Sequence, residues 1–196
     1  MKKYAFILII IMLGVVVAIF AYVTGLWKTM SHEDLEGAFE IVDMETKWVK
    51  KAYQPWPPVL KIVPALSFRV KNISEKPLKY VYFNANFRFQ DDFQNLGDAF
   101  LEAIRGKPLM PGETSDPILL KSNYGYEGKN LEHIKTNPVF LTKVVKAKLF
   151  AKSQGSQYIP LGEWEISKKI DFKEPEPYGM EEQQKKKKEE KKEIHQ

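Results

Sequence analysis

Residues 79–89, KYVYFNANFRF, constrain the fold more than any other stretch, because apolar and polar side chains alternate through them. Val81, Phe83, Ala85, Phe87 and Phe89 form one row, and Tyr80, Tyr82, Asn84, Asn86 and Arg88 form the other. Successive side chains of a strand point to opposite faces, so the pattern predicts a strand with one buried face. The same period runs through 60–72, where Leu60, Ile62, Leu66, Phe68 and Val70 oppose Lys61, Ser67, Arg69 and Lys71. It returns in Val145, Ala147, Leu149 and Ala151 against Lys146, Lys148 and Lys152. In the last such segment, Trp164, Ile166, Ile170 and Phe172 oppose Glu163, Glu165, Lys169 and Asp171. The turn formers NISEKP (72–77) and SQGSQ (153–157) join these segments in pairs, which predicts two β-hairpins.

Three further strands are expected. In 38–50 the apolar phase changes near Asp43, the mark of a bulge or bend. Segment 113–121 follows Pro111-Gly112, a type II turn pair, and Pro117 makes it an edge or bulged strand. Segment 96–105, LGDAFLEAIR, fits helical and strand spacing about equally; Gly97 and the neighbouring strands favour an edge strand. Six to seven antiparallel strands predict an all-β, immunoglobulin-like sandwich over 37–173. With no cysteine in the chain, its core has to suffice without disulfides.

Both ends of the 196 residues lie outside this pattern. From Tyr4 to Trp27 there are 24 consecutive uncharged residues, enough at about 1.5 Å per residue to span a bilayer core of roughly 30 Å. A cleavable signal peptide is the alternative, but the run exceeds an h-region of about 7–15 residues, and Val23-Thr24-Gly25 is a poor cleavage site. The expected order is a cytoplasmic stub (1–3), a transmembrane signal-anchor helix (4–27), a polar linker (28–36), the sandwich, and a disordered Lys/Glu-rich tail (174–196). Lys2 and Lys3 place the N-terminus in the cytoplasm and the domain on the periplasmic or extracellular side of the cytoplasmic membrane.

The formal net charge of +5 invites a nucleic-acid reading, which the distribution of charge argues against. Residues 31–173 hold 21 Lys/Arg and 18 Asp/Glu, interleaved rather than gathered into a stripe. Catalytic constellations are equally missing. The histidines are His32, His133 and His195, none with a partner fixed by sequence, and there is no Cys nucleophile, GxSxG, HExxH or P-loop. Adjacent Asp91 and Asp92 read as a turn, since neighbouring strand residues point apart and a hard metal needs converging oxygens. Asn72-Ile73-Ser74 is formally a glycosylation sequon and reads as a turn in a bacterial envelope. No enzyme, cofactor or metal is expected.

Between Leu60 and Gly128, Val70-Lys71-Asn72-Ile73-Ser74, Lys76-Pro77-Leu78, FRFQDD (87–92) and Leu109-Met110-Pro111-Gly112-Glu113 follow one another. This succession of turns resembles bacterial membrane-anchored immunoglobulin-like envelope domains of the FxLYD type, though Phe87-Arg88-Phe89-Gln90-Asp91 lacks the aliphatic–Tyr pair of the naming motif. The resemblance implies an accessory or interaction module.

The candidate interaction surface comprises Trp56, Tyr80, Tyr82, Tyr124 and Tyr126. Trp56, in the stiff connector YQPWPP (53–58), either caps an open end of the sandwich or faces a partner. Tyr80 and Tyr82 lie on the face opposite Phe83, an interaction patch unless 96–105 covers it. Tyr124 and Tyr126 belong to a loop, 122–137, longer than a hairpin needs. The expected role is a protein-interaction or assembly module of the cell envelope with an envelope protein as partner. The alternative is a small-ligand or glycan receptor whose pocket would combine Tyr124, Tyr126 and Trp56.

Overall fold

A computed structural model describes residues 11–19, 35–92 and 95–174. Residues 11–19 are helical with exposed side chains, and among the described residues no helix is long and apolar enough to cross a membrane. The remainder of the predicted 4–27 anchor, the stub 1–3, residues 28–34 of the linker and the tail from 175 onward lie outside the described residues.

Eight strands form two antiparallel sheets, one or two strands more than the sequence suggests. In the first sheet β1 (Phe39–Pro55) pairs with β2 (Pro58–Asn72), and the other edge of β2 takes both β5 (Ile118–Lys121) and β6 (Tyr126–Gly128). The second sheet has the order β4 (Asn95–Ile104), β3 (Val81–Phe89), β7 (Val145–Ser153), β8 (Ile159–Glu165). The strict alternation of β3 and β7 appears as buried and part-exposed residues in turn, and β4 is indeed an edge strand, with Gly97 at φ +101°. At Asp43 the expected bulge is present: φ is +53°, and the β1–β2 register shifts between Val42 and Glu45. Asp visits the left-handed region more readily than most residues.

One predicted hairpin does not exist. β2 and β3 belong to different sheets, so NISEKP carries the chain across the sandwich instead of reversing it within a sheet. The β7–β8 hairpin is as expected, but β8 stops at Glu165 rather than running to Phe172. The next residues leave it for the outer edge of β1, where Trp48 N–H donates to Lys169 O (2.7 Å) and Asp171 N–H donates to Trp48 O (2.9 Å). Ile170 thus makes a parallel bridge to Trp48. This strap closes the seam between the sheets on the β1–β8 side.

Inner faces of both sheets share one core. Leu60, Ile62, Leu66, Phe68 and Val70 of β2 meet Val81 to Phe89 of β3, and the rings of Phe68 and Phe83 pack edge to face at 5.2 Å. Trp48 is fully buried between the rings of Tyr126 (5.2 Å) and Phe140 (5.3 Å). Leu35, inside the predicted linker, is 0% exposed and belongs to the same core.

Charges pin the strap to β1. Lys47 reaches Glu45 (2.9 Å) and Asp171 (2.5 Å), and Lys169 also pairs with Glu45. Hydrogen bonds from Lys169 and Lys47 hold the Glu45 carboxyl down at about 2, while those to Asp171 and Glu45 push the Lys47 ammonium up. A carboxyl lowered by folding stabilises the fold above its unfolded pKa, near 4.5, and loses that contribution as pH falls through about 2. Thermal midpoints of wild type and Glu45→Gln should therefore differ at pH 6 and converge on acidification from pH 4.5 to 2. A constant gap over that window would show that Glu45 does not charge-pin the strap.

Candidate functional site

The five candidate side chains divide into three places. Trp56 stands 82% exposed at the tip of the β1–β2 hairpin, next to a cis Trp56–Pro57 bond, so it does not cap the sandwich. The end of the fold is closed instead by two helical turns, Leu131–Lys135 within the predicted loop and Pro138–Thr142 just beyond it. Asn130 and Asn137 cap them through their side-chain oxygens, and Leu131, Ile134 and Phe140 turn into the core.

Tyr126 lies on β6, which pairs with Leu60–Ile62 of β2, and its ring joins Trp48, Phe89 and Phe140. Burial pushes its phenol up to about 12, and its hydroxyl donates to Val139 O (3.2 Å). Tyr126 therefore packs its ring against the core and stays only part-exposed. Tyr124 remains 62% exposed. Its backbone N–H donates to Leu96 O at 2.9 Å, stitching the β5–β6 connection to β4. Around it lies an open cleft of about 530 Å³, lined by Phe89, Leu96, Tyr126, Val139 and the ion pair Lys61–Glu127. Trp56 is not part of this cleft, so the expected three-residue pocket does not assemble.

Tyr82 lies on the outer face of the β4-β3-β7-β8 sheet, and β4 leaves that face open. β4 sits beside β3 rather than over it, and its Phe100 stacks on Tyr82 with ring centroids 5.7 Å apart at 17°. Phe150 of β7 meets Tyr158 edge to face at 6.5 Å, and Lys152 Nζ lies 5.7 Å from the Tyr82 ring and 4.8 Å from the Tyr158 ring. Phe100 is 56% exposed and Tyr158 41%. Tyr80 stands just before the strip at φ +52°, where the chain turns into β3. A hydrogen bond to Glu102 raises the Tyr82 phenol above its ordinary value, so it stays protonated at neutral pH.

The remainder of this face is charged. Glu163 of β8 gathers Arg88 (3.2 Å), Lys146 (3.5 Å) and Lys148 (3.6 Å). On β4, Asp98 accepts from Asn86 (2.6 Å) and Glu102 pairs with Arg105 (3.6 Å). The aromatic side chains thus interrupt an acidic row on β4, with Phe100 between Asp98 and Glu102, and a basic row on β7, with Phe150 between Lys148 and Lys152. Phe100, Phe150 and Tyr158 are absent from the sequence-based candidates. Their signal was a Phe interrupting an otherwise charged row: Phe150 between Lys148 and Lys152, and Phe100 between Asp98 and Glu102.

Of the three histidines in the sequence, His133 falls within the described residues. His133 Nδ1 accepts from Lys129 N–H (3.3 Å), and no cluster of three metal-ligating side chains occurs among them. Asn72 is completely buried, so the sequon presents no acceptor amide in the folded chain. No protein-family model matches this chain, and neither does any curated protein.

Proposed function

We propose that this chain is a membrane-anchored, extracytoplasmic β-sandwich of immunoglobulin-like connectivity, serving as a protein-interaction or assembly module of the cell envelope. The observation that carries the reading is the open outer face of the β4-β3-β7-β8 sheet, where Tyr82, Phe100, Phe150 and Tyr158 form an aromatic strip rimmed by charges. Exposed aromatic patches with polar rims are what protein interfaces bury. The connectivity supports the immunoglobulin-like assignment: β2 carries β1 on one edge and β5–β6 on the other, while β3, β4, β7 and β8 make the opposing sheet. The uncharged run 4–27 supports the anchor, and Lys2 and Lys3 before it support the orientation. The glycan-receptor alternative keeps exposed Tyr124 and part-exposed Tyr126 in one cleft, having lost Trp56 to the hairpin tip.

Replacing Phe100 with a benzophenone-bearing amino acid and irradiating intact cells should yield a covalent adduct heavier than the monomer. The same probe at Leu119, exposed on the other sheet, should yield much less. Recovery of monomer alone from both positions would sink the proposal.

A further inference from the structure

We infer that the partner of the β4-β3-β7 face is a second copy of this chain, packed face to face about a two-fold axis running along β3. The inference rests on reading that face as the interaction surface, and its basis is the strand register. Tyr82, Asn84 and Asn86 of β3 stand opposite Glu102, Phe100 and Asp98 on β4, and opposite Lys152, Phe150 and Lys148 on β7. Acid–Phe–acid and base–Phe–base rows therefore flank β3 at matching heights. Within one copy the rows are two strands apart, about 10 Å, too far for their charges to pair directly.

A two-fold rotation about an axis parallel to β3, between two facing sheets, lays β4 of one copy over β7 of its partner without changing the heights. Asp98 then meets Lys148, Phe100 meets Phe150 and Glu102 meets Lys152, and each contact occurs twice. Facing sheets sit about 10 Å apart and cross at about 30°. Pivoting about Asn84, that rotation displaces residues two positions away by only about 3–4 Å, within reach of a lysine side chain. Glu163 and Tyr158 fall at the rim.

Edge-to-edge pairing of two β4 strands about Phe100 is the other symmetric arrangement. It sets Asp98 opposite Glu102 of the partner, two like charges, and is disfavoured. A face of three to four strands buries on the order of 1,000 Å² in total, the low end for specific interfaces. Dimerisation is accordingly weak and concentration-dependent in solution.

Charge reversal tests the arrangement on the full chain in detergent, by sedimentation. Asp98→Lys with Glu102→Lys sets like charges across the interface and should shift the chain to monomer. Lys148→Glu with Lys152→Glu should do the same. An equimolar mixture restores opposite charges along both rows and should recover the dimer, tightening association at least tenfold over either variant alone. Dimerisation of either reversed variant at wild-type strength, a mixture that stays monomeric, or a monomeric wild type overturns the inference.

Should a reversed variant fail to fold, the cysteine-free chain permits a second reading. Chains carrying Phe100→Cys mixed with chains carrying Phe150→Cys should be joined by a bismaleimide spanning about 10 Å, whereas Phe100→Cys alone should not. The reverse pattern rejects the geometry. If the Phe100 photoprobe captures a different protein and the chain remains monomeric, the second copy is excluded while the interaction-module reading stands. If the photoprobe captures nothing, both fall.

Discussion

Gly125→Ala should unfold this domain more readily than any other single added methyl group. A Cβ at Gly125 would lie 2.0 Å from Ile62 O and 2.9 Å from Val63 Cα, both backbone atoms of β2. Backbone cannot rotate out of the way as a side chain can, so either β6 lifts or β2 bends. Lifting β6 withdraws Tyr126 from Trp48, Phe89 and Phe140, the aromatic packing at this end of the core. Overpacking typically costs about 1–3 kcal/mol and the dismantled aromatic contacts add to it, so about 3–5 kcal/mol is expected. For a domain of this size that is a fall of roughly 10–15 °C in thermal midpoint. Tyr124→Ala, one residue away with its side chain exposed, should cost about 1 kcal/mol or less. Equal midpoints for the two variants would show that β6 does not lock onto β2 as described.

Asn72→Ala comes next. The Asn72 amide donates to Lys76 O and Leu109 O, both at 2.9 Å, and its Oδ1 accepts from the Ser74 backbone N–H (3.0 Å) and hydroxyl (2.8 Å). Its own backbone closes the ring: Asn72 N–H donates to Glu113 O, and Gly112 N–H donates to Asn72 O. One side chain therefore ties the end of β2 to the crossing segment and to the turn before β5. Truncation strands Leu109 O, whose bond to the amide is buried, and removes three part-buried bonds, so about 2–4 kcal/mol is expected. Asn72→Asp should be worse at neutral pH, because a carboxylate would face the two carbonyls that now accept. Its deficit relative to Asn72→Ala should shrink in acid as that carboxyl is protonated. Urea unfolding at pH 7 and pH 4 measures both, and an Asp variant as stable as wild type would refute the assigned hydrogen bonds.

The same residue marks where reading the sequence fails. Alternation in 60–72 and 79–89 correctly assigns the buried row of each strand. It cannot say whether the strands share a sheet, because in a sandwich both sheets turn their apolar rows toward the same core. The pairing of β2 with β1, β5 and β6 and of β3 with β4 and β7 reveals NISEKP as a crossing between sheets, and the bonds of Asn72 to Leu109 and Glu113 anchor its start. The turn at 110–113 was legible because its chemistry is local: Pro111 precedes Gly112, whose φ is +79°, and Glu113 N–H donates to Met110 O (3.0 Å). β6 is three residues long and has no period to detect. The helical turns that follow do leave local signs, an Asn before each and Pro138 at a helix start, but at five residues each they fall below any periodic signal.

For the site, Tyr82 was legible from its parity, whereas the importance of Phe100 and Phe150 depends on register. Neither strand alone indicates that its Phe sits level with Asn84. Trp48 and Trp56 illustrate the converse. Residue type does not distinguish them, yet packing against Tyr126 and Phe140 buries one completely while the hairpin tip leaves the other in solvent.

That strap also determines how the molecule carries load. β1 leads away from the N-terminal side, and the segment ending at Asp171 runs parallel to it toward the C-terminal side of the domain. Tension applied between the two ends slides these parallel strands past each other instead of peeling them apart. The bonds of Trp48 to Lys169 and Asp171, and of Ser167 to Thr46, lie across the direction of pull and are strained together. Forced unfolding is governed by the barrier to leaving the native state, and several bonds that must break at once make that barrier high. The segment that closes one seam of the sandwich is thereby a mechanical clamp between its two ends.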